Sequence, residues 1–365
     1  MNPDLDTLAT RLYVTIDDLL IEHPQWAPER PEVGIAPKLT DAELITLAVI
    51  QALLGFTSEA RFIRHARTHL TGLFPYLPQR PAYNKRLRHA AATMQHLIAM
   101  LARDCPSWHD DLWLVDSTPV ECGRSRETVK RSDLAGWATY GYCASHSRFF
   151  WGLRLHLIAT PSGLPVAYAL TGAKTDERDT ALAMLELDPA LDARSGQILV
   201  ADKGYRSAAF EAELNARGIT LIRPTIKSEK IERPLARFLK PFRQIIESIN
   251  QTLKAQLDLE RHGGRKPAGV CARILQRLLA LTAAIWHNET SSQPGQHAHS
   301  SPTTTDPGCT GLRDDGGGRV HQKGLLNWDD CDVQRHNTPK FGRHFLCGQY
   351  RAPSTAMTRP STMTV

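Results

Sequence analysis

The chain has 365 residues, of which 42% are hydrophobic and 22% are charged, and its formal net charge at pH 7 is +6. This length exceeds one typical domain and is ample for a buried core. The seven widely spaced cysteines, with no Cys-x-x-Cys pair, exclude a disulfide framework and favour no zinc site. The acidic start is unlike a signal peptide and no apolar run approaches about 18 residues, so we expect a cytoplasmic protein without a membrane span.

Residues 1–105 are predicted to form a helical domain. Thr40 and Glu43 make a capping box at the start of one helix, and Ser58 is the expected cap of the next. Two helices joined by a short glycine-containing turn are typical of a helix-turn-helix, and a third helix is predicted over residues 84–103. We interpret the region as a DNA-binding domain, with an ordinary helical bundle as the alternative. Its candidate DNA contacts are Arg61, Arg64, Lys85 and Arg86.

Residues 106–288 show the pattern of an α/β domain. A hairpin is predicted over residues 151–170, and an apolar helix at 271–286 is expected to pack on the catalytic core. The hairpin, followed by alternating helices and strands, fits a mixed sheet flanked by helices. Strands are predicted at 112–116, 151–159, 164–170, 197–202 and 219–223, and helices near 177–187, 207–217 and 235–258.

Three carboxylates stand out in this domain. Asp116 and Asp202 each close a short apolar run, which predicts a strand buried on both faces. If the two strands are parallel neighbours, their carboxyl ends open on one crevice. Glu247 lies on the polar stripe of an amphipathic helix and can reach that crevice.

Carboxylates of this kind suit the metal-dependent cleavage of a phosphodiester. Two divalent ions about 4 Å apart stabilise the charge on the attacking and leaving oxygens, and Mg²⁺ or Mn²⁺ prefers such hard oxygen ligands. Arg243 and Lys254 share the helix face of Glu247 and are predicted to hold phosphates. His156 is interpreted as a structural histidine, since oxygen is the preferred ligand here.

Each of these signals has a simpler interpretation when taken alone. An aspartate after a strand is usually a turn former or a helix cap, and an Arg-x3-Glu-x6-Lys pattern usually marks a solvated helix face. The two aspartates and the Arg-x3-Glu-x6-Lys pattern, found together in this order, are more specific than any one of them alone. In addition, residues 223–266 hold eleven basic and five acidic residues, and the difference of six equals the formal net charge of the whole chain. We therefore predict DNA contacts here, at Arg237 and Lys240 as well, with a solubilising surface as the alternative.

The order Asp116, then Asp202-Lys203-Gly204-Tyr205, then Arg243-x3-Glu247-x6-Lys254 resembles the DDE transposases of bacterial insertion sequences. The resemblance covers approximately residues 1–290. Lys240 departs from it, because relatives often carry tyrosine at that position.

This resemblance implies a ribonuclease-H-like catalytic core that cuts double-stranded DNA at the terminal inverted repeats of an element and joins it to target DNA. It also implies two metal ions bridged by Asp116 and completed by Asp202 and Glu247, a homodimer, and a nucleoid-associated protein in the bacterial cytoplasm. A structure-specific nuclease without strand transfer and an inactive DNA-binding relative remain as alternatives.

The chain changes character after residue 288. Residues 289–365 are rich in Ser, Thr, Pro, Gly, His and Asp and sustain neither helical nor strand periodicity. Such a segment buries too little apolar surface to offset its ordering entropy, so we predict a disordered tail. An altered or extended reading frame is the alternative interpretation.

Overall fold

The structure is a computed structural model that describes the following residues: 3–30, 34–123, 126–143, 147–192, 194–225, 229, 239–291 and 345–346. Its helices are α1 (Pro3–Glu22), α2 (Asp41–Leu53), α3 (Glu59–His69), α4 (Arg80–His89), α5 (Ala91–Arg103), α6 (Arg126–Lys130), α7 (Glu177–Glu186), α8 (Pro189–Asp192), α9 (Ala208–Ala216), α10 (Leu239–Gln251) and α11 (Pro267–Ser291). Its strands are β1 (Leu112–Gly123), β2 (Thr139–Cys143), β3 (Arg148–Ala159), β4 (Pro165–Gly172), β5 (Ile198–Val200), β6 (Thr220–Ile222) and β7 (Phe345–Leu346).

Within the described part of the chain, these strands form one mixed sheet in the order β6-β5-β1-β3-β4-β7, with β2 paired to β3. Strands β1, β3 and β4 are antiparallel neighbours, whereas β5 and β6 run parallel to β1. Antiparallel strands followed by parallel strands on the other side of β1 agree with the predicted ribonuclease-H-like sheet. The predicted fold class is therefore confirmed: a mixed sheet flanked by helices and preceded by a helical N-terminal region.

The hairpin of β3 and β4 follows directly from the sequence. Its turn is closed by the amide of Gly163, which donates to the carbonyl of Thr160 at 2.9 Å. Gly163 has a φ of 90°, a conformation that favours glycine. In β4 every residue is buried, and in β3 His156 is buried with its Nε2 2.8 Å from the hydroxyl of Thr171. The structural role predicted for His156 agrees with this contact.

The helical region begins as the capping signals predict. The amide of Glu43 donates to the hydroxyl of Thr40 at 3.1 Å, and the Glu43 carboxylate accepts from the Thr40 amide at 2.6 Å. Ser58 caps α3 by accepting from the amide of Arg61 at 3.4 Å. The predicted third helix is instead two helices, α4 and α5, because Ala90 leaves the helical conformation with ψ near 3°.

Helix α11 packs on the N-terminal helices rather than chiefly on the sheet. Its main contacts are with α1, α2, α4 and α5. It is long and apolar enough to cross a membrane by composition, yet 89% of its most apolar window is buried within the protein. Burial on this scale is typical of a core helix. The expected packing on the catalytic core is thus corrected: α11 completes the core of the helical region.

The predicted tail lies mostly outside the described residues. Helix α11 continues to Ser291, three residues into the segment predicted to be tail. Farther on, the backbone of β7 pairs antiparallel with β4. The disordered tail and the domain boundaries at 105 and 288 stay predictions.

Candidate active site

The pairing of β1 with β5 brings two of the predicted carboxylates together. The parallel register matches Leu112 with Ile198 and Leu114 with Val200. Continuing that register by two residues places Asp116 level with Asp202, and neighbouring strands lie about 4.8 Å apart. The prediction that the two apolar runs form parallel neighbours is confirmed.

Asp116 does not end its strand, contrary to the prediction. Strand β1 continues to Gly123, because its antiparallel pairing with β3 persists after its pairing with β5 has stopped at Leu114. The residues after Asp116 are partly polar, so they lack the apolar run that marks the first half of the strand. Asp116 therefore lies inside β1, at the point where the parallel neighbour ends.

Asp202 is held in place by its own local turn. It caps a short 3₁₀ turn, Lys203–Tyr205, and its Oδ1 accepts from the amide of Gly204 at 2.6 Å. A Cβ on Gly204 would lie 2.8 Å from that oxygen, closer than side-chain carbons approach. The glycine of the Asp-x-Gly-Tyr pattern thus allows the aspartate to fold back over the turn and to face the sheet edge.

Helix α10 approaches Asp116 through Asn250. The amide of Asn250 donates to Oδ2 of Asp116 at 2.6 Å. Glu247, nearly one turn earlier, is exposed, and so are Arg243 and Lys240. The predicted polar face therefore reaches the site, with Asn250 as the side chain that makes the contact. The part of α10 that bears Glu247 extends beyond the sheet edge toward solvent.

The other predicted cations are distributed over the surface. Lys254 lies half-buried in a π-helical turn, Thr252–Gln256, that continues α10. Arg237 lies outside the described residues. In the helical region the exposed candidates are Arg61, Arg64 and Lys85.

Arg86 differs from the other candidate DNA contacts because it is bound within the protein. Its guanidinium donates to the carbonyl of Leu39 at 2.7 Å and to the carboxylate of Asp41 at 2.6 Å. These contacts join α4 to the start of α2. Arg86 therefore has a stabilising contact in this structure, and its predicted role in DNA binding stays a prediction.

The sequence patterns did not single out a second carboxylate beside Asp116. Glu177, at the start of α7, accepts from the hydroxyl of Ser117 at 2.7 Å and forms an ion pair with Arg154. Arg154 also donates to Ser117 at 3.0 Å. This three-residue cluster lies next to Asp116 along β1.

Tyr205 lies beneath these carboxylates. The residue is fully buried, and among the described residues its hydroxyl has no hydrogen-bond partner. Burial raises the pKa of Tyr205 well above its ordinary value, and the charges of Glu177, Asp116 and Asp202 raise it further. These shifts place the phenol within the electrostatic reach of all three carboxylates.

A family model described as "Transposase DDE domain" matches residues 107–283. This segment of the chain is therefore similar to the transposase DDE domain family. Comparison with curated proteins gave no match. Among solved structures, the chain is similar to a piggyBac transposase synaptic complex with hairpin DNA, determined by cryo-EM. The TM-score is 0.34 and the identity 9%, over 82% of this chain and 87% of that chain, so the similarity assigns no role to any residue here.

The pKa of the Asp116 carboxyl group departs strongly from its ordinary value. Burial raises the pKa of Asp116 to about 7, and the negative charges of Asp202 and Glu177 contribute to the increase. Hydrogen bonds from the Ser117 amide and from Asn250 oppose it. The exposed carboxylate of Asp202 and the Glu177 carboxylate, which is paired with Arg154, thus lie within electrostatic reach of Asp116.

This environment fits a divalent cation that prefers oxygen. Carboxylate oxygens are the ligands of Mg²⁺ and Mn²⁺, and a cation would favour the ionised form of Asp116. Within the described residues, however, no group of three or more His, Cys, Asp or Glu side chains lies close enough to hold a metal ion. Asp116 and Asp202 carry carboxylates of the kind that such a cation binds, whereas Glu247 is exposed and forms no such group with them in the described part of the chain.

The raised pKa of Asp116 predicts a pH-dependent stability. Between about pH 4 and 7 the folded protein binds a proton that the unfolded chain lacks, so the stabilising contribution is lost as pH rises through 7. Asparagine does not ionise, so the Asp116→Asn variant has no such loss of stability as pH rises. In metal-free buffer, the melting temperature of the variant relative to wild type should therefore increase from pH 4.5 to pH 8. Asp133→Asn, a change to an exposed carboxylate, is the control. A constant difference for Asp116→Asn would contradict the prediction.

Proposed function

We propose that the chain is a DNA transposase that cuts DNA at the ends of an insertion sequence and joins the freed ends to target DNA. The observation that supports the proposal is the parallel pairing of β1 with β5, each of which leads to one of the two aspartates, within the segment that matches the transposase DDE domain. DNA is the partner that this family implies. A homodimer that holds both element ends, and a location in the bacterial cytoplasm at the nucleoid, are parts of the same proposal.

In the proposed reaction Asp116, Asp202 and Glu247 hold two Mg²⁺ or Mn²⁺ ions. When bound, such ions lower the pKa of water and offset the charge that develops on the phosphate oxygens. Asn250 keeps the Asp116 carboxylate oriented through its 2.6 Å hydrogen bond. Glu247 would join the other two carboxylates by a small rotation or shift of α10 on bound DNA.

Two groups of cations would position the phosphates. Arg243 and Lys254 lie on the exposed side of α10 and its π-helical extension, so they can contact the backbone of a strand whose scissile phosphate reaches Asp116. Lys240 and Arg237 would extend this contact. In the helical region, Arg61, Arg64 and Lys85 would bind the terminal repeat, with Arg86 chiefly stabilising that region.

The Arg154–Glu177 ion pair stabilises the part of β1 next to Asp116. It fixes the start of α7 against β1, and Arg178 of the same helix donates to the carbonyl of Arg206 at 2.9 Å, beside the Asp202 turn. Both predicted aspartates are therefore held against the same helix end. Preorganisation of this kind reduces the ordering that the site needs before the reaction.

Strand transfer separates the proposal from a nuclease on the same fold. Duplexes copied from the DNA that flanks the gene, with a pre-cut 3′-hydroxyl end, are incubated with a supercoiled plasmid and Mg²⁺. The proposal expects covalently joined products with wild type and none with Asp202→Asn. Hydrolysis without joined products would favour the structure-specific nuclease. Binding of DNA without either reaction would favour the inactive relative.

A further inference from the structure

A basic cavity lies away from the carboxylates. Its volume is about 750 Å³, and it opens between the starts of α3 and α4 on one side and the loop before α11 on the other. Among the lining residues that the structure describes, Glu59 is the acidic one and five are cationic. The cationic residues are Arg80, Arg88, Arg265, Lys266 and Arg273. None of them is named among the individual candidate DNA contacts, although Arg265 and Lys266 end the basic segment 223–266.

The charge of Glu59 is balanced within the cavity wall. Its carboxylate forms an ion pair with buried Arg273 and another with Arg80 at 3.2 Å, and it accepts from the amide of Asn84 at 2.6 Å. These contacts satisfy the one acid, so the lining keeps an excess of positive charge. The excess belongs to Arg88, Arg265 and Lys266, of which the last two are exposed; Lys266 also forms an exposed ion pair with Asp133 at 3.7 Å.

The loop that presents Arg265 and Lys266 is held rigidly. The His262 ring accepts at Nδ1 from the amide of Gly264 at 3.1 Å, and its Nε2 lies 3.3 Å from the carbonyl of Glu121. A Cβ on Gly264 would lie 2.5 Å from the amide nitrogen of Val270, so only glycine allows the loop to close onto α11. Burial and the charge of Arg277 lower the pKa of His262 to about 4, which keeps the ring neutral and the hydrogen bonds intact at neutral pH.

The cavity also lies within the reach of one DNA duplex from the carboxylates. His262 contacts β1 at Glu121, five residues along the strand from Asp116. At a rise of about 3.4 Å per residue, this separation is about 17 Å. The same length corresponds to about five base pairs along one strand of DNA. The separation of the cavity from Asp116 thus matches the length of a short stretch of duplex.

We infer that this cavity is a binding site for the phosphate backbone of duplex DNA, formed jointly by the helical region and the loop before α11. The inference rests on the proposed function for the identity of the polyanion. Fixed, solvent-facing cations on a concave wall match a phosphate backbone, which carries one charge per about 1.7 Å of helix axis. The contact is independent of base sequence, because nothing in the argument requires the cavity to contact base edges.

The test uses the full chain and a fluorescein-labelled duplex of 30 base pairs with an arbitrary sequence. The triple variant Arg88→Gln, Arg265→Gln, Lys266→Gln is compared with wild type at several salt concentrations. Each lost phosphate contact lowers the slope of log affinity against log salt by about 0.9, so a decrease of about 2 to 3 is expected. The matched control, Arg265→Lys with Lys266→Arg, keeps the charges and should keep the slope.

Two reactions are then measured on the same proteins in Mg²⁺ at saturating DNA. They are the cleavage of uncut flanking DNA and the joining of pre-cut flanking DNA. An unchanged salt slope in the triple variant would overturn the inference. If the charge-preserving control lowers the slope as much as the triple variant does, the effect comes from altered structure and the inference is also overturned. If wild type binds the duplex through the cavity but neither cuts nor joins DNA, the proposed function fails and the inference stands. If wild type joins DNA but the salt slope is the same in wild type and in the triple variant, the inference fails while the proposed function stands.

Discussion

Asp116→Asn is expected to lower the rate of Mg²⁺-dependent DNA cleavage by about a thousandfold or more, and Asp202→Asn should do the same. Loss of a metal ligand removes several kcal/mol of transition-state stabilisation, and each 1.36 kcal/mol corresponds to about a factor of ten in rate. Both aspartates belong to the proposed metal-binding triad, so either loss should have a similar effect. The measurement is the single-turnover cleavage rate with uncut duplexes copied from the flanking DNA.

Glu247→Gln and Glu177→Gln extend this experiment to the third carboxylate. The proposed function expects the large loss at Glu247, although Glu177 is the nearer neighbour of Asp116 in this structure. Glu213→Gln, on the exposed side of α9, is the control. DNA binding should persist in every variant. A large loss at Glu177 with wild-type rates at Glu247 would assign the third position to Glu177 and contradict the proposed triad.

Glu59→Ala is expected to destabilise the protein by about 3–5 kcal/mol, because it leaves the buried charge of Arg273 without a partner. Burial and the nearby charge of Arg277 already lower the pKa of Arg273 to about 9, so the cation has little solvent to compensate for the loss. The measurement is the free energy of unfolding from denaturant titration.

Arg80→Ala is the matched control, because it removes the exposed partner of the same carboxylate. The side chain of Arg80 is 67% exposed, so its loss should cost about 1 kcal/mol or less. The double variant Glu59→Leu, Arg273→Met should lose less stability than Glu59→Ala, since no charge is left buried alone. Equal losses for Glu59→Ala and Arg80→Ala would show that the buried pair is not the source of the effect.

Local signals predicted most of the fold. The capping box at Thr40, the hairpin turn at Gly163 and the apolar runs of β1 and β5 specify their elements through neighbouring residues, and each is present. The second half of β1 was not predicted, because its strand conformation comes from pairing with β3 across a long stretch of chain. Pairing of this kind depends on tertiary packing rather than on local preference.

The candidate site was predictable to the same extent. Asp116 and Asp202 follow from the apolar runs that precede them. The contact of Asn250 with Asp116 depends on how α10 is rotated, and helical periodicity specifies a face without specifying which side chain on it reaches the sheet. The Arg154–Glu177 pair joins a strand to a helix that follows the next strand, so no local pattern could have placed the two together.

The packing of α11 also bears on how the protein is made. Helices α1, α2, α4 and α5 leave the ribosome first, yet α11, the helix that covers them, is synthesised only after strands β1–β6 and helix α10. The N-terminal region therefore cannot complete its core until nearly 290 residues have been translated. An interrupted translation product would therefore lack a finished core in the helical region as well as part of the segment that matches the transposase family.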